Sequence, residues 1–356
     1  MTDLDFYKNK KVLVTGHTGF KGAWLSMLLL TLGADVSGYA LEAPTDPALF
    51  HICRLDREME SVIGDIRDLD KLNRTVKEIK PEIVIHMAAQ PIVRESYKNP
   101  VLTYETNVMG TVNLLEAVRL NADYVKSVVN VTTDKVYRNI EQQRGYKEED
   151  ELNGYDPYSN SKSCSELVTS SYKNSFFSDL GTAISTARAG NVVGGGDFAK
   201  DRIIPDCVRA VEGQQDIIVR NPYSVRPYQH VLEPVVAYLM LAKAQYEDKD
   251  KFEGNYNIGP NTDMVWKTGE LVQLFCDTWQ RKTGKEINWI DRFDGGPHEA
   301  NYLMLDNSKF SSKFGWKPKW DMHTTMEKIV EWYEGYILAS NQTPIMMKQI
   351  KEYVAR

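Results

Sequence analysis

Cysteine is scarce in this chain of 356 residues: Cys53, Cys164, Cys207 and Cys276 stand far apart and form no CxxC pair. A disulfide framework or a metal site built on cysteine is excluded as the organising device, no metal is expected, and a reducing cytosol suits the chain best. Long hydrophobic runs are lacking too. The longest, around Leu25 to Leu32, is too short to span a bilayer, follows a glycine loop and has no cleavage-site pattern. Neither a membrane span nor a signal peptide is expected there, and the expected location is cytoplasmic. Nor is there an excess of positive charge. A net charge of −6 and a pI near 5.7 argue against a general binder of nucleic acid or anionic membranes. They still permit a local basic pocket. Internal repeats, low-complexity tracts and flexible interdomain linkers are absent.

What is present is ordinary globular material, 42% hydrophobic and 26% charged, over a length that suggests two lobes. Up to about residue 190, short apolar strands alternate with amphipathic helical stretches. The expected strands are KVLVTG (11–16), VSGYAL (36–41), SVIGD (61–65), EIVIHMAA (82–89), SVVNVTT (127–133) and TAISTARAG (182–190). Helical patterns lie at 22–33 and 110–120, and Asp68 is placed to cap another that runs to about Ile79. Near-continuous apolar strands alternating with helices predict an α/β fold with a doubly wound parallel sheet of the Rossmann type. Beyond residue 190, glycine and proline punctuation increases. A smaller mixed α/β lobe is expected there, at about 191–230 and 259–356, with about 231–258 returning to the large lobe of residues 1–190.

GHTGFKG (16–22) directly follows the first strand and opens the first helix. Gly16, Gly19 and Gly22 lack side chains where a turn tightens and a pyrophosphate approaches free helix-start amides. An acid that holds the adenine ribose is expected roughly 20 residues further on. Glu42 is the nearest, and a solvated loop carboxylate is an equal reading of it. No arginine lies inside the loop to meet a 2′-phosphate, which favours NAD over NADP. Asp65 and Ile66, ending the third strand, are placed to contact adenine, though Asp65 reads equally well as a strand-end turn former.

YSNSK (158–162) puts Tyr158 and Lys162 four residues apart, on one face of a helical stretch about 25 residues after the fifth strand. A neighbouring ammonium and a cationic nicotinamide both favour the phenolate, which turns a phenol with an ordinary pKa of about 10 into a usable base. Thr133 sits at the carboxyl end of a central strand, where ligands bind in open parallel sheets. The stretch VVNVTTDKVY (128–137) thus runs from sheet core into a polar tip.

Together GHTGFKG, HMAAQ, TNVMGT, TTDK, YSNSK and RAGNVVGGGD resemble the extended short-chain dehydrogenase/reductases that act on nucleotide sugars, from Lys11 to about Trp332. Within that family, MAAQP, YDPYSNSK, KDRIIPD, RNPYSVRPYQHVLEP and GPHEANYLMLD are similar to 4,6-dehydratases, and the likeness implies CDP-glucose as substrate. It also implies Phe20, Ala88 and Ala89 beside the cofactor, with the three glycines, Tyr158 and Lys162. In the implied reaction, Tyr158, assisted by Lys162 and near Thr133, takes the C4 hydroxyl proton as the C4 hydride passes to NAD. The resulting 4-ketone acidifies C5–H, water leaves across C5 and C6, and the hydride returns to C6. Asp134 is implied as the acid for the leaving C6 hydroxyl, a role that burial favours.

Lys135 departs from the pattern, since related dTDP-glucose and GDP-mannose dehydratases carry a glutamate base there. A largely neutral lysine serves as base, and a charged one stabilises the enolate-like intermediate; both readings stay open. Asn191 and Arg226 are implied diphosphate ligands, with Arg202 and Arg220 as further cations. His230 and Glu299 lie in family-like segments without an assigned role, and Tyr228 reads as a base-stacking or a core residue. A nucleotide-sugar 4-epimerase needs the same Tyr158, Lys162 and NAD but no elimination acid. A non-catalytic dinucleotide sensor needs only the glycine loop. The helices near 106–120 and 158–176 are placed to pair in a homodimer.

Overall fold

A computed structural model describes residues 4–261, 265–292, 302–338 and 341–355. Its centre is a seven-stranded sheet. The strands are β1 (Lys11–Thr15), β2 (Asp35–Ala40), β3 (Glu60–Ile63), β4 (Ile83–His86), β5 (Ser127–Val131), β6 (Ala183–Arg188) and β7 (Asn255–Asn257), in the order β7-β6-β5-β4-β1-β2-β3. Every neighbouring pair is parallel. The order turns back between β1 and β4, and that reversal opens a crevice at the carboxyl ends of the strands. β4, β5 and β6 are buried along their whole length, as strands covered on both faces must be.

Six of the strands stand where the apolar runs put them, but four of them stop two or more residues early. The expected tails after Ile63, His86, Val131 and Arg188 leave the sheet. Their polar and glycine residues serve the crevice instead of the ladder.

Side chains alternate along each strand, and two apolar clusters result. Val12, Val14, Ile83, Ile85, Val129 and Val131 face one side, and Leu13, Val84, Val128 and Ile184 the other. On the second side lie α2 (Leu69–Ile79), α3 (Gly110–Leu120) and α4 (Pro157–Tyr172). Asp68 caps α2 by accepting from the Lys71 amide at 3.0 Å, and Asp156 caps α4 by accepting from the Ser159 amide at 2.9 Å. On the first side lies α1 (Phe20–Thr31), with α5 (Ile203–Gly213), α6 (Leu232–Glu247), α7 (Thr268–Thr283), α8 (Met322–Leu338) and α9 (Thr343–Val354).

α6 is buried nearly all round, because the sheet covers one face and the C-terminal elements the other. Its Glu233 is sealed there, accepting from the amides of Lys319 and Trp320 at 3.0 and 2.8 Å and from the Tyr353 hydroxyl. The elements after residue 190 therefore share one continuous core with the sheet, running from Val12 to Tyr353. Small strand pairs, 192–193 with 229–230, 217–219 with 289–291 and 225–226 with 266–267, fix the loops over the crevice. No described helix is long and apolar enough to cross a membrane.

Candidate active site

The crevice is a cleft of about 980 Å³. Gly16, Gly19, Phe20, Gly22, Asp65, Ile66, Ala88 and Ala89 line it, as do Thr133, Asp134, Lys135, Tyr158 and Lys162. So do Asn191, Arg202, Arg220 and Arg226, so one space gathers all the candidate residues. A volume of this size suits a ligand much larger than a single sugar ring.

The glycine loop forms a cradle. Gly16 has φ of +77°, and a Cβ on it would lie 2.8 Å from the Ala88 amide nitrogen. A Cβ on Gly22 would lie 2.1 Å from the Gly16 carbonyl oxygen, so neither position admits a side chain. α1 begins without a side-chain cap and without an acid in its first turn, which leaves its first amides to an anion. The residues present fit a dinucleotide diphosphate. Thr15 Oγ1, at the end of β1, accepts from the amides of Met87 and Ala88 at 3.1 and 3.2 Å and so holds the opposite lip. Buried Asn107, from the TNVMGT stretch, accepts from the Gln90 amide at 2.8 Å and donates to Ser161 Oγ on α4, also at 2.8 Å.

Asp65 lines the cleft, but its carboxylate is occupied. It accepts from the Arg67 amide at 2.9 Å and from the guanidinium at 2.7 Å, and that guanidinium holds it below the usual carboxylate range. Asp65 thus forms the strand-end turn and still lines the cleft. Glu42 is exposed on the cleft wall.

At the end of β5 the polar tip divides. Thr132 turns inward and donates to Glu166 Oε1 at 2.5 Å. Thr133 opens a short 3-10 turn, Asp134–Val136, and donates to Asp134 Oδ1 at 2.9 Å. Tyr158 lies near enough to this hydroxyl for it to favour the phenolate. Asp134 is 1% exposed, and its Oδ2 accepts from Asn191 Nδ2 at 3.2 Å. Gly190 makes the room, since a Cβ there would lie 2.0 Å from that oxygen. Lys135 is half-buried on the cleft wall, and its ammonium has no hydrogen-bond or ion-pair partner among the described residues.

Tyr158 and Lys162 project from the same face of α4, and Lys162 Nζ donates to the Val131 carbonyl at 3.2 Å. Burial pushes the Tyr158 phenol up to about 12, outweighing the nearby Thr133 hydroxyl, which favours its charge. Burial also brings the Lys162 ammonium down to about 8, against the pull of Glu166. The protein's own groups therefore do not yield the phenolate near neutrality that the Tyr–Lys spacing suggests. Desolvation wins until another cation enters.

Arg226 is 5% exposed and donates to the Val225 carbonyl at 3.0 Å. Arg202 pairs with Asp197 at 3.1 Å, and Arg220 with Asp201 at 2.6 Å and Asp206 at 3.3 Å. Asn191, with φ of +45°, points its amide at Asp134. Tyr228 is a core residue on the cleft wall, its hydroxyl 2.9 Å from Thr268 Oγ1. His230 lies outside the cleft, fully buried between the rings of Trp24 and Trp320, and burial lowers it to about 3. Glu299 lies outside the described residues.

Two features went unread in the sequence. Lys21, between Phe20 and Gly22, also lines the cleft, and its place inside the glycine loop was the available signal. Beneath the site, Arg188 clasps Glu166 at 2.9 Å through both Nε and Nη2, with both side chains 1% exposed. This pair locks α4 to β6.

A reversed parallel sheet, a glycine cradle and a Tyr–Lys helix at the same cleft define a member of the short-chain dehydrogenase/reductase class. The chain belongs to the GDP-mannose 4,6 dehydratase family, whose profile matches residues 13–329. It is 48% identical over 360 residues to CDP-glucose 4,6-dehydratase of Salmonella typhimurium, covering 100% of this chain and 99% of that one. Among solved structures, UDP-glucose 4-epimerase of Thermus thermophilus in complex with NAD is 25% identical. Its TM-score is 0.78, over 91% of this chain and 99% of that one. The dTDP-glucose 4,6-dehydratase of Bacillus anthracis in complex with NAD shares the fold, with a TM-score of 0.75 at 24% identity over 92% and 97% of the two chains.

Proposed function

We propose that this protein converts CDP-glucose to CDP-4-keto-6-deoxyglucose and water with bound NAD. The observation that carries the reading is the gathering of Tyr158, Thr133 and the buried Asp134 in one cleft, with Thr133 bonded to the Asp134 carboxyl. A 4-epimerase needs a base at C4 but has no use for a buried carboxyl one hydroxyl away from it. The choice of CDP-glucose is supported by the 48% identity over the whole chain to the Salmonella enzyme.

NAD in the cradle supplies a hydride acceptor for C4 and, later, the donor to C6. The glycine loop and the amides of α1 hold its diphosphate, with Phe20, Asp65, Ile66, Ala88 and Ala89 around the rest. Tyr158 takes the C4 hydroxyl proton once the cationic ring beside it offsets the cost of burial, and Lys162 orients it. Asp134 gives its proton to the C6 hydroxyl as that leaves, and Lys135 attends C5. Asn191, Arg202, Arg220 and Arg226 grip the nucleotide diphosphate.

In this division of labour, residues 1–190 with about 231–258 serve the cofactor, and about 191–230 with 259–356 serve the nucleotide sugar. Four free cysteines suit a cytoplasmic enzyme. Val101, Met109, Leu120, Leu167 and Phe176 are exposed on or beside α3 and α4 and suit the face of a homodimer. The product is a precursor for deoxysugars of the O-antigen type in lipopolysaccharide.

The test is incubation with the CDP, dTDP, UDP and GDP esters of glucose, followed by mass analysis. Loss of one water from CDP-glucose is expected. Preference for another nucleotide overturns the substrate, and an isomer of unchanged mass overturns the reaction.

A further inference from the structure

Lys21 is the second residue of α1, where a lysine ordinarily reaches into solvent. Here it is half-buried and lines the same cleft as Asp134, Tyr158, Lys162 and Arg202. Its Nζ lies 3.4 Å from Tyr238 Oη and 5.8 Å from the centroid of that ring. Tyr238 is itself fully buried on α6, so the side chain is held against a fixed wall. Burial, then the charges of Arg202 and Lys162, bring the Lys21 ammonium down to about 7, with Asp134 pulling the other way. Three basic side chains and the Asp134 carboxyl thus share this part of the cleft. The dianionic diphosphate of an incoming dinucleotide favours the protonated amine.

We propose that Lys21 sets the balance between oxidised and reduced dinucleotide. The inference rests on the reading of the cleft as an NAD site whose nicotinamide lies by Tyr158 and Lys162. The oxidised ring is a cation and the reduced ring is neutral, so a nearby ammonium disfavours the first relative to the second. A dehydratase gains from that bias, because the reduced form must be held while water leaves. Two unit charges about 8–12 Å apart at an effective dielectric of about 20 shift such a ratio by at least about tenfold. A lysine that merely anchors the diphosphate acts differently, since both forms carry the same diphosphate and gain equally.

The experiment measures both dissociation constants on full-length protein freed of bound dinucleotide, NADH by its fluorescence and NAD by competition. In Lys21→Met and Lys21→Gln, the ratio of the NAD constant to the NADH constant is expected to fall about tenfold. Lys21→Arg, which keeps the charge, is expected to stay near the unaltered ratio. Equal weakening of both ligands, or no change in the ratio, overturns the proposal in favour of a plain anchor or a structural lysine. Failure of the unaltered protein to bind either dinucleotide overturns the functional reading itself, a result distinct from a ratio indifferent to Lys21.

Discussion

Asn191 donates its side-chain amide to Asp134 Oδ2 at 3.2 Å, across 57 residues of sequence, while Thr133 holds the other carboxylate oxygen. The carboxyl is thereby fixed beside the Tyr158 phenol before any sugar arrives. Asp134→Asn is expected to keep dinucleotide binding and C4 oxidation but to slow water loss by about 10²–10⁴-fold, the usual worth of a placed general acid. Gly190→Ala, whose methyl would overlap Oδ2, is expected to have the same selective effect. Both are read by dehydration rate against NAD affinity, and normal dehydration by Asp134→Asn removes Asp134 from the mechanism.

Lys135 is half-buried on the cleft wall with an ammonium that is uncommitted among the described residues. If it attends C5, Lys135→Met is expected to slow the entry of solvent deuterium at that carbon at least about tenfold, the lower side of acid–base effects. Entry at the unaltered rate excludes it as the base and leaves only stabilisation of the intermediate.

The Arg188–Glu166 pair also takes bonds from Thr132 at 2.5 Å, from Thr186 at 2.7 Å and to Tyr137 at 2.8 Å. Removing one partner strands a buried charge. Arg188→Met is expected to cost about 3–5 kcal/mol in urea unfolding, and the double change Arg188→Met with Glu166→Met far less. Equal losses in the single and double variants contradict this.

Burial pushes the Glu233 carboxyl up to about 7, although Tyr353, Trp320 and Lys319 donate to it. An unfolded glutamate titrates near about 4.3. Between those values the folded chain holds the extra proton, so this contribution to stability is full below about pH 4 and lost as the pH rises through 7. Glu233→Gln cannot titrate, and its oxygen can still accept from the two amides. Relative to unaltered protein, it is expected to gain a few kcal/mol between about pH 4 and 8 in denaturant unfolding. A difference that does not vary with pH contradicts the assignment.

Much of the fold was legible because its signals are local. The glycine loop announces itself since Gly16 and Gly22 admit no side chain, and β4 to β6 read as strands because both faces are covered. What stayed hidden depends on distance in the chain or on burial. Sequence could not show that Asn191, expected at the diphosphate, also contacts Asp134 57 residues away. The neighbour that favours the Tyr158 phenolate is visible four residues on, while the desolvation that opposes it is not. Lys21 went unread because only packing brings it to Tyr238. His230 sits in a family-like stretch, yet two tryptophans enclose it outside the cleft.

The central claim is an internal elimination, with C4 oxidised and C6 reduced in one active site. Its most direct test uses CDP-glucose deuterated at C4, turned over with catalytic NAD. The product is expected to be one water lighter and to carry the deuterium at C6. Deuterium found in free NADH, or retained at C4 of an epimer of unchanged mass, contradicts the account.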